Sequence, residues 1–236
     1  MDRARSLSRS MARVGPADCS TCPVRKIALL GGVNVEDMDR VRASLDVLRL
    51  QKDTCLYEMN APADYVYSLR TGLVKQHQST CGGRARIVRL ALPGDCLGLE
   101  ALVGGRYRHS ATVLRTADVC RIPVRVLSEL YESSDQFRTS ALQHLQQSID
   151  AADFQITQLS TGTAHARLAR LLLYLDQGDR TDPRHWIMRD DMAAMLGVTL
   201  ETVSRTISDL KRGGLLHEED HSFRFRRADL KAIADS

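Results

Sequence analysis

Short apolar stretches, broken by turn residues, alternate along residues 31–134. The breaks are Arg70-Thr-Gly72, Cys81-Gly-Gly83, Pro93-Gly-Asp95 and Gly104-Gly105. Turn signals about every ten residues predict an antiparallel all-β unit. Strands are expected over 86–92 and 111–122, and a helix before the unit, over 36–45. Residues 135–159 then contain neither Gly nor Pro. There Leu142, Leu145, Ile149, Ala152, Ile156 and Leu159 recur at spacings of three, four, three, four and three. This is an uninterrupted heptad seam without a charge in it, the pattern of a two-stranded coiled coil. It predicts a homodimer formed whether or not a ligand is bound. Thr161-Gly162-Thr163 ends the helix and makes a hinge.

The last third reads as helix, polar loop, two short helices and a hairpin. The helix is expected over 166–175 and the loop over 176–183. The short helices fall at 190–196 and 200–212, joined by Gly197-Val-Thr199. Two helices joined by a three-residue turn containing Gly form a helix-turn-helix. Segments 215–218 and 222–226 flank Glu219-Asp-His221 and predict a two-stranded wing. The expected class is α+β: an antiparallel β-roll of cupin-like jelly-roll type, a long dimerisation helix and a C-terminal winged helix-turn-helix. The expected divisions are 1–30, 31–134, 135–163 and 164–236.

Composition narrows the class without choosing a function. The chain has 236 residues, 43% of them hydrophobic and 26% charged, with a net charge of +4. These are ordinary values for a globular protein and exclude whole-chain disorder. No unbroken apolar run, such as Leu171 to Leu175, exceeds about five residues, against roughly 20 residues for a membrane span. No membrane partner is expected. Four arginines precede Val14 with no apolar stretch after them, so no secretory signal is read there. A cytoplasmic location with reduced cysteines is the expectation.

The helix-turn-helix carries the most specific chemistry. Gly197 suits a left-handed turn and Thr199 an N-cap. Ala194 is small enough for a close helix crossing, and Val203, Ile207 and Leu210 form the buried face of the second helix. Glu201, Ser204 and Arg205 stand at i, i+3 and i+4 and project together. They occupy the first two turns, where a recognition helix meets base edges. Arg can bond guanine O6 and N7, and Glu can accept from cytosine N4. The bland alternative is a solvated Glu201–Arg205 ion pair; turn, cap and wing together outweigh it. Residues 164–236 hold 12 Lys plus Arg and 12 Asp plus Glu, so phosphate contacts must come from placed groups such as Lys211, Arg212, Arg224, Arg226 and Arg227. Thr199 and Thr202 complete the expected double-stranded DNA contacts, with Glu201, Ser204, Arg205 and Lys211.

This order of β unit, long helix and winged helix resembles the CRP/FNR family of bacterial transcription regulators. Leu200-Glu-Thr-Val-Ser-Arg205 is similar to the FNR-type recognition helix, E-x-x-S-R, and Gly94-Asp-Cys-Leu-Gly98 resembles the family's β-roll turn. The resemblance covers nearly the whole chain. It implies a dimer reading an inverted TTGAT-like repeat, and contact with RNA polymerase. The cyclic-nucleotide branch uses a Glu and an adjacent Arg-Ser pair. Here Glu100 stands available, but Arg108-His109-Ser110 interrupts the pair, so a cyclic nucleotide is not expected. The FNR branch implies a [4Fe–4S] cluster held by four cysteines. Cys19, Cys22 and Cys120 match three of them, and the remaining position falls near Ala28. Thiolates are the ligands such a cluster takes.

Three readings of the cysteines stay open: a cluster completed by Cys55, Cys81, Cys96 or another side chain; a thiol–disulfide switch; and plain small hydrophobes. A zinc site at Cys19 and Cys22 lacks a second close Cys/His pair. His77 or His109 could ligate a haem, though both read first as surface residues. The chain has no G-x-S-x-G, P-loop, H-E-x-x-H or dinucleotide fingerprint, so it is not read as an enzyme. A winged helix that binds protein in an assembly is the rival outside DNA binding.

Overall fold

Burial that largely alternates along residues 110–123 reflects a strand whose side chains point to opposite faces in turn. The computed structural model describes residues 11–79, 85–178, 187–219 and 222–235. It divides into two compact units, one of residues 1–78 and 90–149, the other of 79–89 and 150–236.

The first unit is built on an antiparallel sheet. Its strands are β1 (Met11–Pro16), β2 (Asp46–Leu50), β3 (Cys55–Tyr57), β4 (Tyr65–Ser79), β5 (Ala85–Ala91), β6 (Cys96–Leu97) and β7 (Ser110–Pro123). The strand order is β1-β2-β7-β4-β5, with β3 paired to β7 and β6 to β4. The seven-stranded sheet bears out the expected antiparallel β unit. β1 lies inside the stretch read as an N-terminal segment, and its alternation was too weak to announce a strand. Arg70-Thr-Gly72 is not a turn between strands. It lies within β4, where the register against β7 shifts repeatedly between Leu69 and Val74. Gly72 takes φ +92 and its Cα faces the backbone of Thr116 and Ala117. A glycine at such a bulge bends a strand without ending it.

The first helix, α1, spans Val35–Arg42, shorter than the expected 36–45. Asn34 caps it by accepting from the Asp37 N–H at 2.8 Å. Leu45 lies beyond its end, fully buried beside β2. After β7 come α2 (Val124–Ser133) and α3 (Asp135–Thr157). The first half of α3 buries Phe137, Ala141 and His144 at i, i+4 and i+7, one face of a helix.

The second unit holds α4 (Ala164–Gly178), α5 (Arg189–Leu196), α6 (Leu200–Arg212), the hairpin β8 (His217–Glu219) and β9 (Ser222–Arg224), and α7 (Arg227–Ala234). Its core includes Leu168, Leu171, Leu172, Met192, Leu196, Val203, Ile207, Leu210 and Leu230. α4 exceeds the expected 166–175 at both ends, so Asp176 to Gly178 is helical; the rest of the expected loop lies outside the described residues. The wing is present as β8 and β9, each shorter than expected; Asp220 and His221 lie outside the described residues. Among the described residues, no helix is long and apolar enough to cross a membrane.

Candidate functional sites: a recognition helix and a cysteine pocket

Gly197 ends α5 in the left-handed region at φ 64 and ψ 38, a conformation that costs any residue with a Cβ. Thr199 then caps α6, its Oγ1 accepting from the Thr202 N–H at 3.1 Å. Val203, Ile207 and Leu210 are buried, as their spacing predicts, and Thr206 joins them. The close-packed alanine of α5 is Ala193 (8% exposed), while Ala194 is half-buried. On the opposite face of α6, Glu201 and Arg205 are exposed and paired to each other at 2.6 Å. Ser204 lies between them, half-buried. The two charged side chains satisfy each other. An exposed i, i+4 pair is weak, about 0.3–0.5 kcal/mol, and easily exchanged for other partners.

Lys211 does not stand free for a phosphate. Its Nζ pairs with Glu218 Oε2 at 2.8 Å, and Arg189 pairs with Glu218 at 3.2 Å. Glu218 on β8 thus ties the wing to both helices of the motif. The Lys211 hydrogen bond is the main cause holding its carboxyl below the ordinary range; partial burial opposes it and the Arg189 charge adds to it. Thr199 likewise spends its hydroxyl on the cap and on Thr202.

Along α3, Leu142 (62% exposed), Leu145 (40%), Ile149 (55%) and Ile156 (62%) present an apolar row, and Ala152 is exposed among them. Leu159 leaves the seam. The helix stops at Thr157, the chain turns towards Gly162 at φ 86, and Leu159 is fully buried in the second unit. Its carbonyl accepts from Arg167 Nε at 2.9 Å. The heptad count carried the pattern two residues past the point where the backbone leaves the helix.

The cysteines are placed with equal clarity. Cys19 and Cys22 sit on successive turns after β1. The Asp18 carboxylate fixes the first turn, accepting from the Ser20 N–H at 2.9 Å and from the Ser20 and Thr21 hydroxyls. Cys19, Cys22 and Cys120 line one half-open pocket, together with Arg25, Ala28, Ser68 and Arg70. Ala28, the position at which a fourth cysteine was expected, presents only a methyl group. Two polar atoms buried at this pocket, Ser68 Oγ and Arg70 Nε, have no hydrogen-bond partner. Cys19 Sγ contacts Met38 Sδ at 3.8 Å. Burial and the neighbouring Cys19 thiol push the Cys120 thiol up to about 12. Among the described residues, no three His, Cys, Asp or Glu side chains converge on a single metal ion. The thiols surround a space instead.

The other cysteines stand apart. Cys55 Sγ faces the Tyr57 carbonyl at 3.4 Å, Cys96 is buried in the core, and Cys81 lies outside the described residues. Sequence reasoning missed Ser68 and Arg70. The available signal was a lone serine in the apolar run Tyr65 to Leu69.

The groups weighed for a nucleotide site, Glu100 and Ser110, bond within the protein. Tyr57 stacks on Tyr107 at 3.9 Å and on Tyr67 at 5.9 Å, all three buried in the core. Glu100 Oε1 accepts from the Arg108 N–H at 3.0 Å, and Ser110 Oγ from the Met59 N–H at 3.0 Å. His77 Nε2 is bonded to the Thr112 hydroxyl at 3.0 Å, and burial pushes His109 below the usual histidine value.

Residues 47–134 match the model of the cyclic nucleotide-binding domain, and residues 166–235 that of the Crp-like helix-turn-helix domain. The transcriptional activator protein Anr of Pseudomonas aeruginosa is 30% identical over 210 residues, 86% of each chain. The fumarate and nitrate reduction regulatory protein of Salmonella typhi is 25% identical over 205 residues, 84% of this chain and 82% of that one. FixK2 from Bradyrhizobium japonicum superposes with a TM-score of 0.71 at 28% identity, over 79% of this chain and 96% of its own.

Proposed function

Since this chain belongs to the CRP/FNR family of DNA-binding transcription regulators, we propose that it reads an inverted TTGAT-like repeat as a homodimer. The observation that carries this reading is the α6 face formed by exposed Glu201 and Arg205 with half-buried Ser204 between them, held by the Gly197 turn and the Thr199 cap. Thr202 and Lys211 flank it as further DNA contacts, Lys211 after exchanging Glu218 for phosphate. The apolar row Leu142, Leu145, Ile149, Ala152 and Ile156 supports pairing through α3, which would present two recognition helices to two half-sites. Contact with RNA polymerase follows by family analogy.

The proposed signal is oxygen or redox state, sensed through a [4Fe–4S] cluster at Cys19, Cys22 and Cys120. Support comes from the donor set: three thiols around one pocket, with an orphaned hydroxyl and an orphaned guanidinium N–H beside them. The arrangement suits a group that spans the pocket, not a lone ion. When bound, such a cluster supplies one-electron chemistry and lability to oxygen. Arg25 and Arg70 would balance its negative charge, and hydrogen bonds to its sulfurs tune its potential.

A gel-shift titration tests the DNA reading, with an inverted TTGAT-type repeat against a scrambled duplex at fixed salt. Preferential binding to the repeat is expected. Equal affinity for both would end this assignment and leave the helix-turn-helix as a nonspecific or protein-binding module.

A further inference from the structure

Ser68 is directly opposite Cys120 across the β4–β7 ladder and directly opposite Cys96 across the β4–β6 ladder. Residues opposed in an antiparallel ladder put their side chains on one face, with Cβ atoms about 4.5–5.5 Å apart. The Ser68 hydroxyl therefore stands beside the Cys120 thiol. It is 4% exposed, lacks a hydrogen-bond partner and lines the pocket of the three thiols. A buried hydroxyl without a partner is an expensive arrangement, seldom kept without a reason. Arg70, two residues on, is in the same condition at Nε. The pocket thus offers three thiols, a methyl at Ala28 and one hydroxyl that the protein leaves unbonded.

We propose that Ser68 Oγ is the fourth ligand of the iron–sulfur group held by Cys19, Cys22 and Cys120, with Arg70 Nε–H donating to one of its sulfurs. This rests on the cluster reading above and adds the ligand that reading lacks. On ligation an Fe–O bond replaces the Ser68 O–H bond and the proton leaves to solvent; no electron changes hands. The group then has one oxygen-ligated iron among three thiolate-ligated ones. Oxygen is a harder donor than thiolate, so that corner is the one that exchanges or is lost first. Cys96 is the competing donor. It lies one strand beyond Ser68, is absent from the pocket's lining and packs in the core.

The test uses the full chain, reconstituted anaerobically with ferrous iron and sulfide, and reads iron and sulfide content with Mössbauer and EPR spectra. Wild type is expected to hold four irons with one spectroscopically distinct site. Ser68→Ala should lose that iron and show the EPR signal of an oxidised three-iron cluster. Ser68→Cys should keep four irons and abolish the distinct site. The metal-free Ser68→Ala protein should melt no lower than wild type, because the substitution removes an unbonded hydroxyl; this separates ligand loss from misfolding. Ser68→Ala with four irons and an unchanged spectrum overturns the Ser68 assignment alone. Wild type retaining no iron or sulfide overturns the cluster reading itself.

Discussion

Ser140 Oγ, on the first half of α3, donates a 2.7 Å hydrogen bond to the carbonyl of Leu29 at the end of the cysteine loop. The loop that carries Cys19 and Cys22 is thereby tied to the helix that carries the apolar seam. Ser140→Ala should lower the stability of the first unit by about 0.5–1.5 kcal/mol, the usual worth of one such bond. It should also weaken any dependence of dimerisation on cysteine state. Urea unfolding followed by circular dichroism measures the first effect, and sedimentation of reduced and oxidised protein the second.

Among the described residues, Arg205 is held only by an exposed pair with Glu201, so its removal should leave the fold untouched. Arg205→Ala should weaken binding to an inverted TTGAT-type repeat by about 1–3 kcal/mol, the discrimination of one bidentate base contact. Binding to unrelated DNA should fall less. Titrations on both duplexes, with sedimentation to show an unchanged dimer, check this. Equal losses on the two duplexes would demote Arg205 to a phosphate contact.

Leu145 and Ile149 are large apolar side chains left exposed at the middle of α3. Ile149→Glu should convert the dimer to monomer while helix content stays the same. Each buried aliphatic side chain is worth about 1.5–3 kcal/mol, and a two-fold interface counts the change twice. Sedimentation equilibrium with far-UV circular dichroism decides the outcome; a persisting dimer would move the interface elsewhere.

Glu218 clamps Lys211 and Arg189. Its folded-state carboxyl is held below the ordinary range, chiefly by the Lys211 hydrogen bond. A depressed carboxyl contributes stability that is present above the unfolded-state value and lost as pH falls through the folded one. The wing should therefore loosen only on the acid side of the normal carboxylate range. Glu218→Gln should loosen it at neutral pH. The same substitution frees two cations, so nonspecific DNA binding should tighten and its salt dependence steepen by about one unit of log–log slope for each new phosphate contact.

The seam shows where sequence reading stops being local. Leu142 to Ile156 fall on one face because helical periodicity alone puts them there. Leu159 continues the count but not the helix, since the chain turns it into the second unit's core. Lys211 has the same history: its place on α6 follows from spacing, whereas its partner arrives from the wing.

The helix-turn-helix was legible because its signals act over a few residues: a glycine that can take positive φ, a hydroxyl that caps, and side chains three and four apart. Cys19, Cys22 and Cys120 were legible through resemblance, as was the missing thiol at Ala28. Tertiary structure alone decided that Arg70-Thr-Gly72 is a bulge in a long strand, that Tyr57 and Tyr107 stack in the core, and that Ser68 stands opposite Cys120. Cross-strand register is set by pairing between distant segments. One residue of slip would turn Ser68 to the other face of the sheet, and nothing in its local sequence fixes that choice.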